Sequence, residues 1–148
     1  MSLADWQQRL EQHFERLRQQ RTGSVGDQPI FALEHGLTPS ELSQLERDIR
    51  SYITVAPPLK EHSLPWVVYA AEIGYRYAGD EYWQTFAAET PGWRQHGDRY
   101  WIRRRFVEFQ KRFGGAQPSG KWAEQFSIIC WPILHAILPT DLQQQLAK

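Results

Sequence analysis

Apolar residues recur every three or four positions along much of this chain, which is the period of an amphipathic helix. The first such stripe consists of Trp6, Leu10, Phe14 and Leu17. Polar Arg, Gln and Glu occupy the positions between them, so we predict a helix that stops at Thr22-Gly23. Residues 22–29 hold two glycines and a proline and predict a loop, and residues 30–36 predict a short helical turn.

The most specific local signal is a helix start at Thr38. Glu41 follows three residues later, so each side chain can accept the backbone amide of the other, and Pro39 occupies the first helical position. The apolar stripe of this second helix is Leu42, Leu45, Ile49, Tyr52 and Ile53. Pro57-Pro58 is predicted to end it.

A third helix is predicted from Ser63 through residues 66–77, which read WVVYAAEIGYRY. It is apolar on nearly every face, as expected for a helix in the middle of a bundle. Glu72 and Arg76 are its exceptions, and their four-residue spacing predicts an ion pair on the helix surface.

The next joint is Gly79-Asp80, where Asp80 is predicted to cap a fourth helix. The residues of that helix predicted to face inward are Tyr82, Trp83, Phe86 and Ala87. We expect Trp83 and Phe86 to fold back onto a face formed by Tyr69, Ile73 and Tyr77. Thr90-Pro91-Gly92 is predicted to end the helix.

Gly97-Asp98 precedes a long helix over residues 99–113, and Gly114-Gly115 is predicted to stop it. Its apolar seam is Ile102, Phe106, Phe109 and Phe113. Residues 121–130 and 133–138 predict two further helical pieces separated by Trp131-Pro132. A last helix is predicted to begin at Thr140-Asp141, and its short length suggests that the sequence is part of a longer protein.

These elements predict an all-α fold, an irregular bundle of six to seven helices forming a single domain over residues 1–148. Valine, isoleucine and threonine never alternate with polar residues over a convincing length, which argues against strands. Aromatic residues make up 14% of the chain, with seven Trp, seven Phe and six Tyr. We therefore expect rings to fill much of the core.

The composition limits the classes of function. Seventeen basic and seventeen acidic residues cancel, so the whole chain has no net attraction to nucleic acid or an anionic membrane. No apolar run approaches the roughly 20 residues of a membrane span, and a single cysteine, Cys130, suits a reducing compartment. We expect a cytoplasmic protein.

Signatures of catalysis and cofactor binding are missing from the sequence. The five histidines have no metal-binding spacing, and neither phosphate-binding glycine pattern is present. Asp80 and Glu81 stand at a helix start, where negative charge is favoured. Cys130 and His135 are separated by Pro132 and predict core positions. An enzyme would depend only on Glu72 and the tyrosines around it, so we predict no catalytic, cofactor-binding or metal-binding residue.

The one local charge anomaly is the segment 94–121, which has a balance of +6. Its eight basic residues are Arg94, Arg99, Arg103, Arg104, Arg105, Lys111, Arg112 and Lys121. On a helical wheel the charges of the long helix surround it: two flank each side of the seam and two point away from it. A solvated helix and a phosphate-facing patch both fit this pattern.

The runs IGYRYAGDEYW, TPGW and FGGAQPSGKWAEQFSIICWPILHAILP resemble segments of large bacterial proteins from anti-phage defence islands, of the Druantia kind. The resemblance covers residues 64–146 and rests on aromatic and turn positions. It implies a helical region at one end of a longer defence protein that works alongside a helicase-like partner. It transfers no catalytic residue to this chain.

Two functions follow as hypotheses. The first is a non-catalytic interaction domain that binds a partner subunit or the rest of its own protein. Its candidate surface is Trp93, Trp101, Arg104 and Arg105, because aromatic residues and arginine are favoured at the centres of interfaces. The alternative is an accessory domain that binds nucleic acid through the segment 94–121. Its candidate contacts are Arg99, Arg103, Lys111 and Arg112, with aromatic rings available to stack on unpaired bases.

Overall fold

The computed structural model describes residues 1–21, 30–76 and 82–114. Its α-helices are α1 (Leu3–Gln20), α2 (Pro39–Ile53), α3 (Ser63–Arg76), α4 (Tyr82–Glu89), α5 (Trp93–His96) and α6 (Arg99–Phe113). Single turns of 3₁₀-helix lie at Ala32–Glu34 and Lys60–His62. The described ranges hold no strand, and an all-α fold with an aromatic-rich core is confirmed.

The predicted helix starts are built as the sequence indicates. Thr38 Oγ1 accepts the Glu41 amide at 3.2 Å, and the Thr38 amide donates to Glu41 Oε1 at 2.9 Å. Asp98 caps α6 by accepting the Tyr100 amide at 2.9 Å. Gly114 ends α6 with a φ of 96°, a left-handed conformation that favours glycine. These ends form from contacts within one turn of the chain.

The predicted end of α2 at Pro57-Pro58 is wrong, because the helix stops at Ile53. The amides of Val55 and Ala56 both bond the carbonyl of Tyr52, which turns the chain before the prolines are reached. Tyr52 then donates its hydroxyl to the Pro57 carbonyl at 2.9 Å. A turn closed by these bonds therefore replaces the last predicted helical residues.

The helix α3 lies at the centre of the described fold. It contacts α1, α2, α4, α6 and both 3₁₀ turns, and every residue from Leu64 to Ala71 is buried. This explains why α3 is apolar on all faces, as predicted. The helices around it contribute one buried stripe each, which is Leu3, Trp6, Leu10 and Phe14 of α1, Leu45, Ile49 and Ile53 of α2, and the predicted seam of α6.

The contact between α3 and α4 is aromatic, as expected. The Phe86 ring lies 5.5 Å from that of Tyr69, and Tyr82 donates its hydroxyl to the Ala70 carbonyl at 2.5 Å. Trp83 is half-buried and packs edge-on against Tyr82 and Phe86. The predicted roles of Tyr77, Gly79 and Asp80 lie outside the described residues, as do those of residues 22–29 and 115–148.

The chain that enters the short turn before α2 is fastened to the end of α6. The Ile30 amide donates to the Phe113 carbonyl at 2.9 Å, and Arg18 donates to the same carbonyl at 3.0 Å. These two hydrogen bonds to the Phe113 carbonyl stabilise the C-terminus of α6, because the last carbonyls of a helix have no amide donor within the helix. The orientation of α6 relative to α1 follows from these bonds and from the seam.

Candidate functional site

The inner face of α6 is fixed by its aromatic seam. The rings of Phe109 and Phe113 lie 5.1 Å and 5.4 Å from the Phe14 ring of α1. Ile102 and Phe106 are fully buried. The opposite side of the helix therefore faces away from the described core.

The six basic side chains of α6 do surround the helix, but the structure divides them into two groups. Arg105 and Arg112 form the first group, and both form ion pairs with acids of the same chain. The Arg105 side chain is only 7% exposed, lies 5.0 Å over the Trp101 ring and pairs with Glu108 at 3.2 Å. Arg112 joins α6 to α1 by binding Glu15 and, at 2.8 Å, Glu11.

The bonds of Arg112 have an electrostatic consequence. Burial lowers the pKa of its guanidinium, but the hydrogen bonds to Glu11 and Glu15 raise it by more, so the net shift is upward. The charge of Arg112 is therefore stabilised by its partners within the domain. Its predicted role as a nucleic-acid contact would require it to leave both carboxylates.

The second group consists of Arg99, Arg103, Arg104 and Lys111. Among the described residues no carboxylate lies within 4 Å of any of these four cations. At 100° per residue they fall within an arc of about 140°, on the side that avoids the seam. Tyr100 and Val107 lie inside the same arc. We call these six residues the α6 outer face.

The ring on this face is open to solvent. Tyr100 is 51% exposed, and the Arg99 guanidinium lies 5.1 Å over its ring while donating to its hydroxyl at 3.2 Å. Val107, about two helical turns further along α6, is partly buried. The α6 outer face thus combines four cations with a single exposed aromatic ring.

Trp93 was predicted to lie on a partner-binding surface, but the structure buries it. It was expected outside the apolar faces, but it is only 5% exposed and packs at 4.8 Å from the Phe86 ring and 5.7 Å from the Trp66 ring. The short helix α5, which the sequence pattern did not predict, folds it inward. Gly97 permits this, because a Cβ there would lie 2.0 Å from the Trp93 ring.

The other residues of the predicted partner surface, Trp101, Arg104 and Arg105, differ in solvent exposure. Trp101 is half-buried with its ring edge-on to Trp66 at 6.2 Å, and Arg105 is buried beneath it. Arg104 is exposed. Trp93 and Arg105 therefore support the surface from below, while partner binding by Trp101 and Arg104 stays a prediction.

The predicted ion pair between Glu72 and Arg76 is wrong. Glu72 instead bonds His35 Nε2 at 2.6 Å, with side-chain exposures of 14% for Glu72 and 8% for His35. Arg76 binds Glu46 at 3.1 Å and Glu89 at 3.6 Å. A half-buried carboxylate bonds the partner that packing brings to it, and Arg76 lies at the exposed end of α3.

The hydrogen bonds of His35 also define its tautomer. Nδ1 accepts the Leu37 amide at 2.9 Å, so the ring proton must be on Nε2, which donates to Glu72. Both ring nitrogens are therefore occupied. The pair fastens the turn before α2 onto α3, and it is a residue pair that no sequence spacing signalled.

A second polar contact holds the same turn against α1. His13 Nε2 lies 2.7 Å from the Glu34 carbonyl, and Arg21 pairs with the Glu34 carboxylate. Gly36, with a φ of 72°, lets the His13 ring approach, because a Cβ there would be 2.6 Å from its Cε1 atom. Within the described ranges, no three His, Cys, Asp or Glu side chains are placed to hold a metal ion.

Comparisons with known proteins found no matching family model, no similar curated protein and no similar solved structure. The described residues contain no helix that is both long enough and apolar enough to cross a membrane. Cys130, His135, Asp80 and Glu81 lie outside the described residues. The candidate site is therefore defined by the geometry of α6.

Proposed function

We propose that this chain is a non-catalytic helical interaction domain that binds an anionic partner through the α6 outer face. The observation that carries the proposal is that four cations share one side of α6 without a carboxylate partner among the described residues, beside an exposed tyrosine. Clustered cations attract negatively charged partners, and an exposed aromatic ring adds contact area to a binding surface. An acidic protein surface and nucleic acid both supply the negative charge that such a face attracts.

The rest of the domain supports this surface. Arg105 stacks on Trp101 from the buried side, and Arg112 ties α6 to α1. The Trp101 ring in turn packs edge-on against Trp66 of α3, so α6 is held to both α3 and α1. A partner would therefore meet a preformed face and lose little affinity to ordering. Trp101 lies next to this face on α6, about 60° around the helix from Arg104.

The setting we propose is a bacterial, cytoplasmic phage-defence protein of which this domain is one part. The resemblance over residues 64–146 supports it, because it implies a helical region at one end of a large bacterial defence protein that works alongside a helicase-like partner. In that setting the domain recruits or orients a partner, and the chemistry belongs to other parts of the assembly.

Photo-crosslinking from the full chain in its host cells tests the proposal. Tyr100 and Tyr75 are matched tyrosines, 51% and 55% exposed, on different parts of the fold. Replacing each in turn by p-benzoylphenylalanine should give a discrete adduct from position 100 and none from position 75. The adduct should disappear when Arg104→Glu and Lys111→Glu are added.

Nuclease digestion separates the partner classes, because a nucleic-acid adduct is degraded and a protein adduct survives. Either kind supports an interaction domain. The same adducts from both positions, or adducts that survive the two charge reversals, would refute the α6 outer face as the binding surface.

A further inference from the structure

The charges of the α6 outer face distinguish between the two classes of partner. All of its ionised side chains are cations. The two acids in the segment 98–113 are engaged elsewhere, because Glu108 pairs with Arg105 and Asp98 accepts the Tyr100 amide. Its apolar content is limited to the Tyr100 ring and the partly buried Val107. The centre of a protein interface is depleted of charge and rich in apolar area, so this face fits such a centre poorly.

Repeated phosphates fit the face better. Arg99 and Lys111 are twelve residues apart, which is about 18 Å along the helix axis. At the duplex spacing of about 3.4 Å along one strand, four phosphates span only about 10 Å. The face is therefore long enough for four phosphates of a more extended single strand. Arginine and lysine contacts to phosphate supply the sequence-independent part of nucleic-acid affinity.

The exposed ring selects the form of nucleic acid. Tyr100 lies between the cations with one side covered by Arg99, and half of its surface is open. Aromatic rings next to a basic track are the platforms on which unpaired bases stack. Bases inside a duplex are not available for this contact.

We infer that the α6 outer face binds single-stranded nucleic acid, with Arg99, Arg103, Arg104 and Lys111 on phosphates and Tyr100 stacked on a base. This rests on the proposed function and names its partner. The zero net charge of the chain supplies no long-range attraction. The affinity should therefore come from this face alone and should depend steeply on salt.

Fluorescence anisotropy of the full 148-residue chain with labelled single-stranded oligothymidylate measures the salt dependence. Four phosphate contacts predict a slope of about −2.8 in log affinity against log salt, which weakens binding about 50-fold between 50 and 200 mM. Arg103→Gln, Arg104→Gln and Lys111→Gln combined leave one contact, so the slope should fall to about −0.7.

A matched control removes the same formal charge elsewhere on the surface. Arg16, Arg47 and Lys60 are exposed residues outside α6, and their combined replacement by glutamine should leave the slope near −2.8. Equal losses in the two triple variants would overturn the inference, because the attraction would then be a property of the whole chain. Both variants are checked by circular dichroism for an unchanged fold.

Stacking of Tyr100 on a base is tested by measuring the affinity of Tyr100 variants for the oligonucleotide. Tyr100→Ala should weaken binding by about 5- to 150-fold, while Tyr100→Phe keeps the ring and should stay within about twofold. Binding to duplex DNA should be weaker than to the single strand. If poly-L-glutamate displaces the oligonucleotide at equal charge concentration, the face belongs to an acidic protein surface and the inference fails.

A result against single-stranded nucleic acid as the partner can be distinguished from a result against the proposed function. Absence of oligonucleotide binding at 50 mM salt, together with a nuclease-resistant adduct from position 100, would refute only the nucleic-acid partner. Absence of both would refute the interaction surface itself.

Discussion

Replacing Phe86 by alanine tests the packing of the aromatic core at its most connected point. Phe86 is fully buried, and four rings lie between 4.8 and 6.0 Å from its own. These rings belong to Tyr69, Tyr82, Trp83 and Trp93. They come from α3, α4 and α5, so the substitution weakens the joint between three helices.

The expected loss is large. Removing a buried phenylalanine costs about 3 to 5 kcal/mol in lost burial and residual cavity. Edge-on ring pairs add about 0.5 to 1.5 kcal/mol each beyond burial, so we expect the upper half of that range for Phe86→Ala. For a domain of this size, about 4 kcal/mol corresponds to a fall in Tm of about 8 to 16 °C.

Trp83→Ala is the matched comparison, because Trp83 contacts Phe86 from a half-buried position. It removes a larger side chain but less buried surface, and we expect a loss of about 1 to 2 kcal/mol. Urea unfolding followed by circular dichroism at 222 nm gives both values. A loss below about 1 kcal/mol for Phe86→Ala, or a larger loss for Trp83→Ala, would refute the assignment of Phe86 to the centre of the core.

Four further predictions concern single residues. Glu72→Gln keeps an acceptor for His35 Nε2 and should be milder than Glu72→Ala, which leaves that donor unpaired at a cost of about 1 to 3 kcal/mol in urea unfolding; equal losses would argue against the hydrogen bond. Gly92→Ala should destabilise by more than about 1 kcal/mol in thermal melts, because φ is 94° and the new Cβ would lie 2.9 Å from the Ile53 carbonyl oxygen; an unchanged Tm would contradict the strain. Thr38→Ala should cost about 1 kcal/mol. The Thr38 amide and the Arg9 guanidinium hold the pKa of Glu41 below its usual 4.5, so this carboxylate adds stability above pH 4.5 that is lost as the pH falls through its folded pKa. Carbon-detected NMR titration of Glu41 measures that pKa directly, and a midpoint at or above 4.5 would exclude the effect.

Helix starts and buried faces were readable from the sequence because they depend on neighbours within one or two turns. The Thr38 cap, the Asp98 cap and the seam of α6 all involve residues three or four positions apart. The hydrogen bonds and the apolar period that create them are present in any chain with this local order. The all-α class follows from the same local signals.

The partners of several charged side chains were decided by tertiary packing. Glu72 meets His35, which is 37 residues away, instead of the arginine one turn along its own helix. A half-buried carboxylate needs a donor, and only the assembled fold determines which one is within reach. Sequence spacing could identify the need but not the partner.

The candidate site depends both on local sequence and on tertiary packing. The sequence determined that residues 94–121 carry an excess of positive charge, and its period placed that charge around a helix. The tertiary structure buries Arg105 and brings Arg112 to two acids of α1, which separates both from the four cations of the α6 outer face. It also buried Trp93, because a short helix and a glycine bring that ring against α3 and α4. Charge is a property of composition, but its availability to a partner depends on which carboxylates the fold brings within bonding distance.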